Sequence, residues 1–207
     1  MTLVSVIIPT YERTRLLTER ALPSVFAQTV TDQEVIVVGD GTERATVKAM
    51  VAEPRVRFWN RPHYPYPADE RTRWGLLGLA ALNYGLDQAT GEWIAVLGDD
   101  DEWTPDHHAV LLAAAEASGA DHVYGMSDTI KNGVPTGQTY GRWPVTGDGA
   151  FCNGANLYRR SLGYRYNLAA VNKHVQGDGD LWLRMVRDGV RFEFVPRIVH
   201  HYHRNYP

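Results

Sequence analysis

Five apolar residues, 93–97, run without a break toward three carboxylates, Asp99, Asp100 and Asp101. A continuous apolar run of this length fits a strand covered on both faces, because a half-exposed strand would alternate apolar with polar residues. Such a strand needs a layer on each side, which points to a sheet flanked by helices. The acids then fall at its C-terminal end, where open α/β sheets bind ligands. Adjacent carboxylates repel one another unless a cation or hydrogen-bond donors hold them. Hard divalent ions such as Mg²⁺ and Mn²⁺ take oxygen ligands and bridge carboxylates to phosphates. A plain helix start is the competing reading, with Thr104 as N-cap, Pro105 first in the helix and Asp106 in the first turn. Capping accounts for 104–106 but leaves the acids before them unexplained, so metal or phosphate chemistry is the stronger reading.

The rest of the chain supplies the layers. Residues 3–8 are β-rich and almost wholly apolar and stop at Pro9 and Thr10. Residues 34–38 form a second apolar strand ending in Gly39-Asp40-Gly41-Thr42, and 55–60 read as a third strand, at a sheet edge. Helical spacing occupies 16–28, weakened by Pro23, and 46–52. This alternation predicts a doubly wound α/β sheet. Further on, 63–73 read as a loop and 75–89 as a helix closed by Gly91. Residues 105–118 read as the clearest helix and 121–126 as a strand. The Gly- and Pro-dense 131–149 read as a meander and 153–158 as a strand or turn. A helix at 179–188 and strands at 191–195 and 198–203 finish the chain.

Composition narrows the function. A net charge of −3 over 207 residues gives no case for nucleic acid or an anionic membrane. The single cysteine, Cys152, excludes an intramolecular disulfide framework and a cysteine zinc site. No basic leader precedes the first apolar run, which is too short for a signal peptide or a transmembrane segment. The expectation is a soluble cytoplasmic protein of one domain, 1–207, with peripheral membrane contact and homo-oligomerisation left open.

Four segments carry a resemblance. They are 4–13 (V-S-V-I-I-P-T-Y-E-R), 34–42 (E-V-I-V-V-G-D-G-T), 83–101 and 177–184 (G-D-G-D-L-W-L-R). In order and spacing they resemble family 2 glycosyltransferases of the GT-A fold, the last being similar to that family's E-D-x-D-L-x-x-R region. The chain departs from the family pattern at Gly39, Leu82, Gly98 and Gly177, where Asp, Arg, Asp and Glu are usual. The resemblance implies a doubly wound, Rossmann-like, mostly parallel sheet flanked by helices. It divides the chain into a nucleotide-binding half, 1–101, and an acceptor-binding half, 102–207. It also implies a hexosyltransferase-like enzyme with a nucleotide-sugar donor, Mn²⁺ or Mg²⁺, and inversion at the anomeric carbon. The acceptor, whether saccharide, lipid-linked or small molecule, stays open.

The resemblance places Pro9, Thr10, Tyr11 and Arg13 around base and ribose, and Asn83 on the donor side. Chemically, Tyr11 can stack on a base and Arg13 can meet a phosphate. Asp40 can accept from the imide N–H of uracil or thymine, so a uridine or thymidine diphosphate donor is expected. Asp99 and Asp100 would face ribose and metal, and Asp100 and Asp101 would hold the metal. His201 and His203 share one face of a terminal strand, with His200 on the other, and by resemblance to the C-terminal histidine of GT-A enzymes they would join the metal. Asp178 is the candidate general base, a carboxylate able to take the acceptor's hydroxyl proton. Trp143, Phe151, Asn153, Gly154 and Ala155 are expected on the acceptor side, and His63, His107, His108 and His122 on the surface. Two rival readings remain. One is a nucleotidyltransferase, although 10–14 lacks the glycines of a phosphate loop; the other is a sugar-nucleotide binding module without turnover.

Overall fold

The computed structural model describes residues 3–142, 145, 151–172 and 174–204. Four strands, β1 (Val4–Thr10), β2 (Gln33–Asp40), β3 (Val56–Arg61) and β4 (Trp93–Val96), lie parallel in the order β3-β2-β1-β4. The sheet continues from β4 through β8 (Asn156–Arg159), β6 (His122–Lys131) and β9 (Phe192–His203) to β5 (Glu102–Trp103), and β7 (Val134–Tyr140) pairs with β6. Residues along β1 sort by parity. Val4, Val6 and Ile8 pack with Leu17, Leu111 and Ala115 on one face; Ile7 packs with Ile36, Val38, Leu82 and Leu86 on the other. Both faces of the sheet are therefore buried, as its apolar strands require. Strand order reverses between β1 and β4, and crevices at such a switch point are where doubly wound sheets bind ligands.

The helices are α1 (Thr14–Leu16), α2 (Leu22–Phe26), α3 (Arg44–Val51), α4 (Glu70–Leu76), α5 (Leu79–Gln88), α6 (His107–Ser118) and α7 (Gly177–Arg187). A π-helical turn, Leu17–Ala21, joins α1 to α2; Pro23 brings no amide hydrogen to the next turn, and the widened register accommodates it. The helix expected at 75–89 is two helices. Its first part begins inside the expected loop, where Asp69 accepts from the Thr72 amide at 2.8 Å as an N-cap. It ends at Leu76, and Gly78, with φ of +77°, turns the chain before α5. Residues 104–106 form a turn ahead of α6, with Thr104 bonded to Asp106 at 2.8 Å, so that helix starts two residues later than capping chemistry implies.

Two further regions correct the sequence reading. The start of the expected meander at 131–149 is a β6–β7 hairpin. Its two-residue turn, Asn132 (φ 52°) and Gly133 (φ 76°), is the Asn-Gly type that matches strand twist. The two short terminal strands are one strand, β9, parallel to β6 with register shifts near Met126. Three histidines expected on the surface, His107, His108 and His122, are fully buried. His107 stacks on Trp103, and His122 lies among Phe192, Trp182 and Tyr158. Burial holds His108 and His122 neutral, down to about 3. Among the described residues no helix is long and apolar enough to cross a membrane.

The site depends on close seating of α5 on the sheet. A Cβ on Gly85 would overlap Ile7 Cγ2 and stand 3.5 Å from Val38 Cγ2. Gly85→Val should therefore destabilise the fold by about 1–3 kcal/mol, the usual cost of overpacking. A lowered urea midpoint at unchanged slope would report it; an unchanged midpoint would show that the helix can lift without cost.

Candidate active site

At the end of β4 the chain turns through Gly98 and buries all three acids, each less than a tenth exposed. Asp99 accepts from Thr10 Oγ1 at 2.9 Å and the Tyr11 amide at 3.4 Å, which ties the turn to the end of β1. Arg13 spans two carboxylates, 3.2 Å from Asp99 Oδ1 and 2.7 Å from Asp100 Oδ2. Arg20 donates to the Asp100 carbonyl at 2.7 Å. Asp101 accepts from the His203 amide at 2.8 Å, because β5 pairs with β9 and draws the tail across the turn. Burial first, then the charge of Asp101, pushes the Asp100 carboxyl up to about 7, against the pull of Arg13. Asp99 is raised as well, chiefly by burial.

The tail histidine rings go to three different acids. His201 Nδ1 lies 2.5 Å from Asp128 and His203 Nε2 lies 3.0 Å from Glu102. The ring that approaches the acid turn is that of His200, with Nε2 3.4 Å from Asp101 Oδ2 and Nδ1 2.9 Å from Ser127 Oγ. That Nε2 is buried without a hydrogen-bond partner. Among the described residues no three His, Cys, Asp or Glu side chains enclose a finished metal position. Even so, the donor set fits Mn²⁺ or Mg²⁺. Asp101 Oδ2 and Asp100 Oδ1 both face Gly98, 3.0 and 3.3 Å from where its Cβ would stand, and an orphaned imidazole nitrogen lies beside Asp101.

Asp40 closes the far side of the crevice. One of its oxygens accepts from the Tyr64 amide at 2.7 Å and the other from the Tyr66 hydroxyl at 2.5 Å. Tyr11 stands exposed beside it, just before Glu12, which adopts a φ of 48°. Asp178 lies inside the first turn of α7, after the N-cap Gln176, and accepts from the Gly179 amide at 2.8 Å. The expectation that Asp178 precedes the helix is corrected by two residues. Cys152 sits where the charges of Asp101 and Asp178 both bear on it, and burial pushes its thiol up to about 12.

One cleft of about 560 Å³ brings together Pro9, Thr10, Tyr11, Arg13, Asp40, Asp99, Asp100, Asp101 and Asp178. Phe151, Asn153 and Gly154 also line it; Ala155, His201, His203 and Asn83 do not. Asn83 instead brackets the Tyr166 backbone with two bonds of 2.9 Å. Trp143 lies outside the described residues. The cleft also takes His63, Tyr66, Arg73 and Trp74, to which sequence reasoning gave no part. The density of Pro, Tyr and His in 62–67 was the one signal for His63 and Tyr66. Space at two departures from the family pattern is filled. A Cβ on Gly39 would stand 2.6 Å from Asn60 Oδ1 and Thr42 Cγ2, and one on Gly177 would overlap Leu79 Cδ1.

Asp100 gives a pH test. A carboxyl raised in the fold stabilises it below the ordinary carboxylate range, and that stability is lost as pH rises through about 7. Asp100→Asn should therefore raise the melting temperature of the ligand-free protein at pH 8, with the gain shrinking toward pH 5. Each kcal/mol is worth roughly 2–4 °C in a domain of this size. A gain equal at both pH values would refute the assignment.

Comparison with known proteins follows the same lines. A profile of the Glycosyl transferase family 2 matches residues 5–174. The uncharacterized glycosyltransferase YwdF of Bacillus subtilis is 28% identical over 197 residues, covering 89% of this chain and 68% of its own. The GalNAc(5)-diNAcBac-PP-undecaprenol beta-1,3-glucosyltransferase of Campylobacter jejuni is 32% identical over 135 residues, 63% of this chain and 40% of that one. Among solved structures, S. aureus TarS in complex with UDP-GlcNAc superposes with a TM-score of 0.72 at 18% identity, covering 99% of this chain and 59% of that one. The mannosyltransferase PcManGT from Pyrobaculum calidifontis, in complex with GDP-Man and Mn²⁺, gives 0.67 at 18% identity, covering 96% of this chain and 56% of that one. The fold is that of these glycosyltransferases, and this chain spans little more than half of either solved chain.

Proposed function

The chain belongs to glycosyl transferase family 2, and from that premise we propose that it moves a sugar from a nucleoside diphosphate to an acceptor hydroxyl, with inversion at the anomeric carbon. One observation carries the reading: a single cleft at the switch point is lined by the aromatic rings beside Asp40, the buried acid turn and a further carboxylate, Asp178. The donor would lie with its base at Tyr11 and Asp40 and its diphosphate toward Arg13 and the acids. Each Asp40 oxygen keeps a lone pair beyond its existing bond, so an imide N–H of uracil or thymine can still be read there. TarS holds UDP-GlcNAc and PcManGT holds GDP-Man; the pyrimidine donor is our reading for this chain.

Asp178 takes the role of general base. It sits in the first turn of a helix, where the dipole favours the carboxylate, and it shares the cleft with the acids. The acceptor oxygen would attack from this side as Asp178 accepts its proton. Asp180 is engaged elsewhere, 2.8 Å from Arg184 Nε. Asp100, Asp101 and His200 are the residues that would hold Mn²⁺ or Mg²⁺. When bound, such an ion offsets the charge of the departing diphosphate. Arg13, already between two of the acids, would turn to the phosphates as the donor enters.

A panel of nucleoside diphosphates with and without Mn²⁺ tests the donor reading, since a ligand selective for the native state raises its melting temperature. Uridine or thymidine diphosphate should give the largest shift, and EDTA should abolish it. A larger shift with guanosine or adenosine diphosphate overturns the pyrimidine assignment.

Asp178→Asn should bind donor and metal as the wild type does while losing roughly 10²–10⁴ in turnover, the range for loss of a general base. Near-normal turnover in that variant would show that the general base lies elsewhere.

A further inference from the structure

The corner beside Asp40 is built in more detail than a loop requires. Gly41 adopts φ +67°, and a Cβ there would stand 2.7 Å from His63 Cβ and 2.9 Å from His63 N, so the chain at 61–63 rides directly over it. The Gly41 amide donates to the Arg61 carbonyl at 2.7 Å. His63 Nδ1 lies 2.9 Å from the Asp40 carbonyl oxygen, which can only accept, so Nδ1 carries the hydrogen. With the Tyr64 amide and the Tyr66 hydroxyl on the two carboxylate oxygens, Asp40 anchors this segment at three points. The Tyr66 hydroxyl in turn accepts from the Gly78 amide at 3.3 Å, joining the segment to the start of α5.

This anchoring sets an aromatic wall. The His63 ring stacks on Tyr11 with centroids 4.8 Å apart and planes 29° from parallel, and it meets Tyr66 at 5.3 Å. Tyr11 is 43% exposed and follows a strand end; Glu12 of the same loop holds its hydroxyl, and His63 packs against the face of its ring. All three rings line the cleft.

We infer that His63 is a positioning residue for nucleobase recognition, holding the Tyr11 ring as a platform on which the base stacks, with Asp40 as the anchor that holds His63 there. The inference rests on the donor reading above and assigns the base end of that site. The stacking partner acts through its flat face, so an aromatic replacement should serve in its place.

Isothermal titration in the presence of Mn²⁺ tests it, with uridine diphosphate and inorganic pyrophosphate as the two probes, on wild type, His63→Ala and His63→Phe. His63→Ala should bind uridine diphosphate about fivefold to tenfold more weakly, the scale of one lost aromatic contact, and pyrophosphate as the wild type does. His63→Phe should restore binding of uridine diphosphate to within about twofold. Tyr66→Phe, which removes one anchor bond, should show the same pattern as His63→Ala in milder form. Equal binding of uridine diphosphate by wild type and His63→Ala overturns the inference alone. Parallel weakening of both probes also overturns it, because that is the mark of a damaged fold. Wild-type protein that binds uridine diphosphate no more tightly than pyrophosphate overturns the donor reading and this inference together.

Discussion

Three carboxylates buried within one turn are the constraint on which the rest of this structure depends. Left alone, such a turn would open to water, since an unpaired buried charge costs several kcal/mol. Here each acid is held by a different part of the chain. Thr10 and Tyr11 hold Asp99, Arg13 bridges Asp99 and Asp100, and the His203 amide holds Asp101. The end of β1, the helix that follows it and the last strand of the protein therefore meet at one point. The repulsion is answered from all sides, yet burial first and the charge of Asp101 second still raise the Asp100 carboxyl.

The central fold was legible because burial on both faces writes itself as continuous apolar runs. Residues 93–97, 3–8 and 34–38 carry that pattern and became β4, β1 and β2. Local chemistry was harder to weigh against periodicity. Asp69 with Thr72 is a helix start, yet it sits in a stretch whose Pro and Tyr content reads as loop. Asn132-Gly133 is a hairpin turn, hidden because its strand β7 is exposed almost throughout and carries no apolar signal. The histidines at 107, 108 and 122 were misread because polarity marks the surface only when nothing nearby can satisfy it. Stacking on Trp103 and bonding between the two neighbouring rings, at 2.8 Å, made burial affordable for 107 and 108.

The site was legible where it stands on strand ends and illegible where it depends on register across the sheet. Thr10, Asp40 and Asp99 follow directly from three parallel strands. Alternation along β9 separates His200 from His201 and His203, but only the pairing Trp103 with His200 decides which face meets the acids. No pattern within 198–203 contains that information. Nor does any local signal bring 61–66 over Gly41; the approach requires the left-handed glycine and the Asp40 anchor to be seen together.

The filled spaces at the departures from the family pattern have a consequence for how this chain can change. The Asn60 side chain occupies the volume over Gly39 and bonds to the Thr42 backbone at 3.0 and 3.2 Å. Leu79 occupies the volume over Gly177, and two carboxylate oxygens flank Gly98. An acid put back at any of these positions would meet a side chain already seated there. Reversal at Gly39 or Gly177 requires the Asn60 or Leu79 side chain to move aside, while at Gly98 the two carboxylates need give only a few tenths of an ångström. Change at these three positions is therefore coupled to Asn60, Leu79 and the acid turn, to a different degree at each.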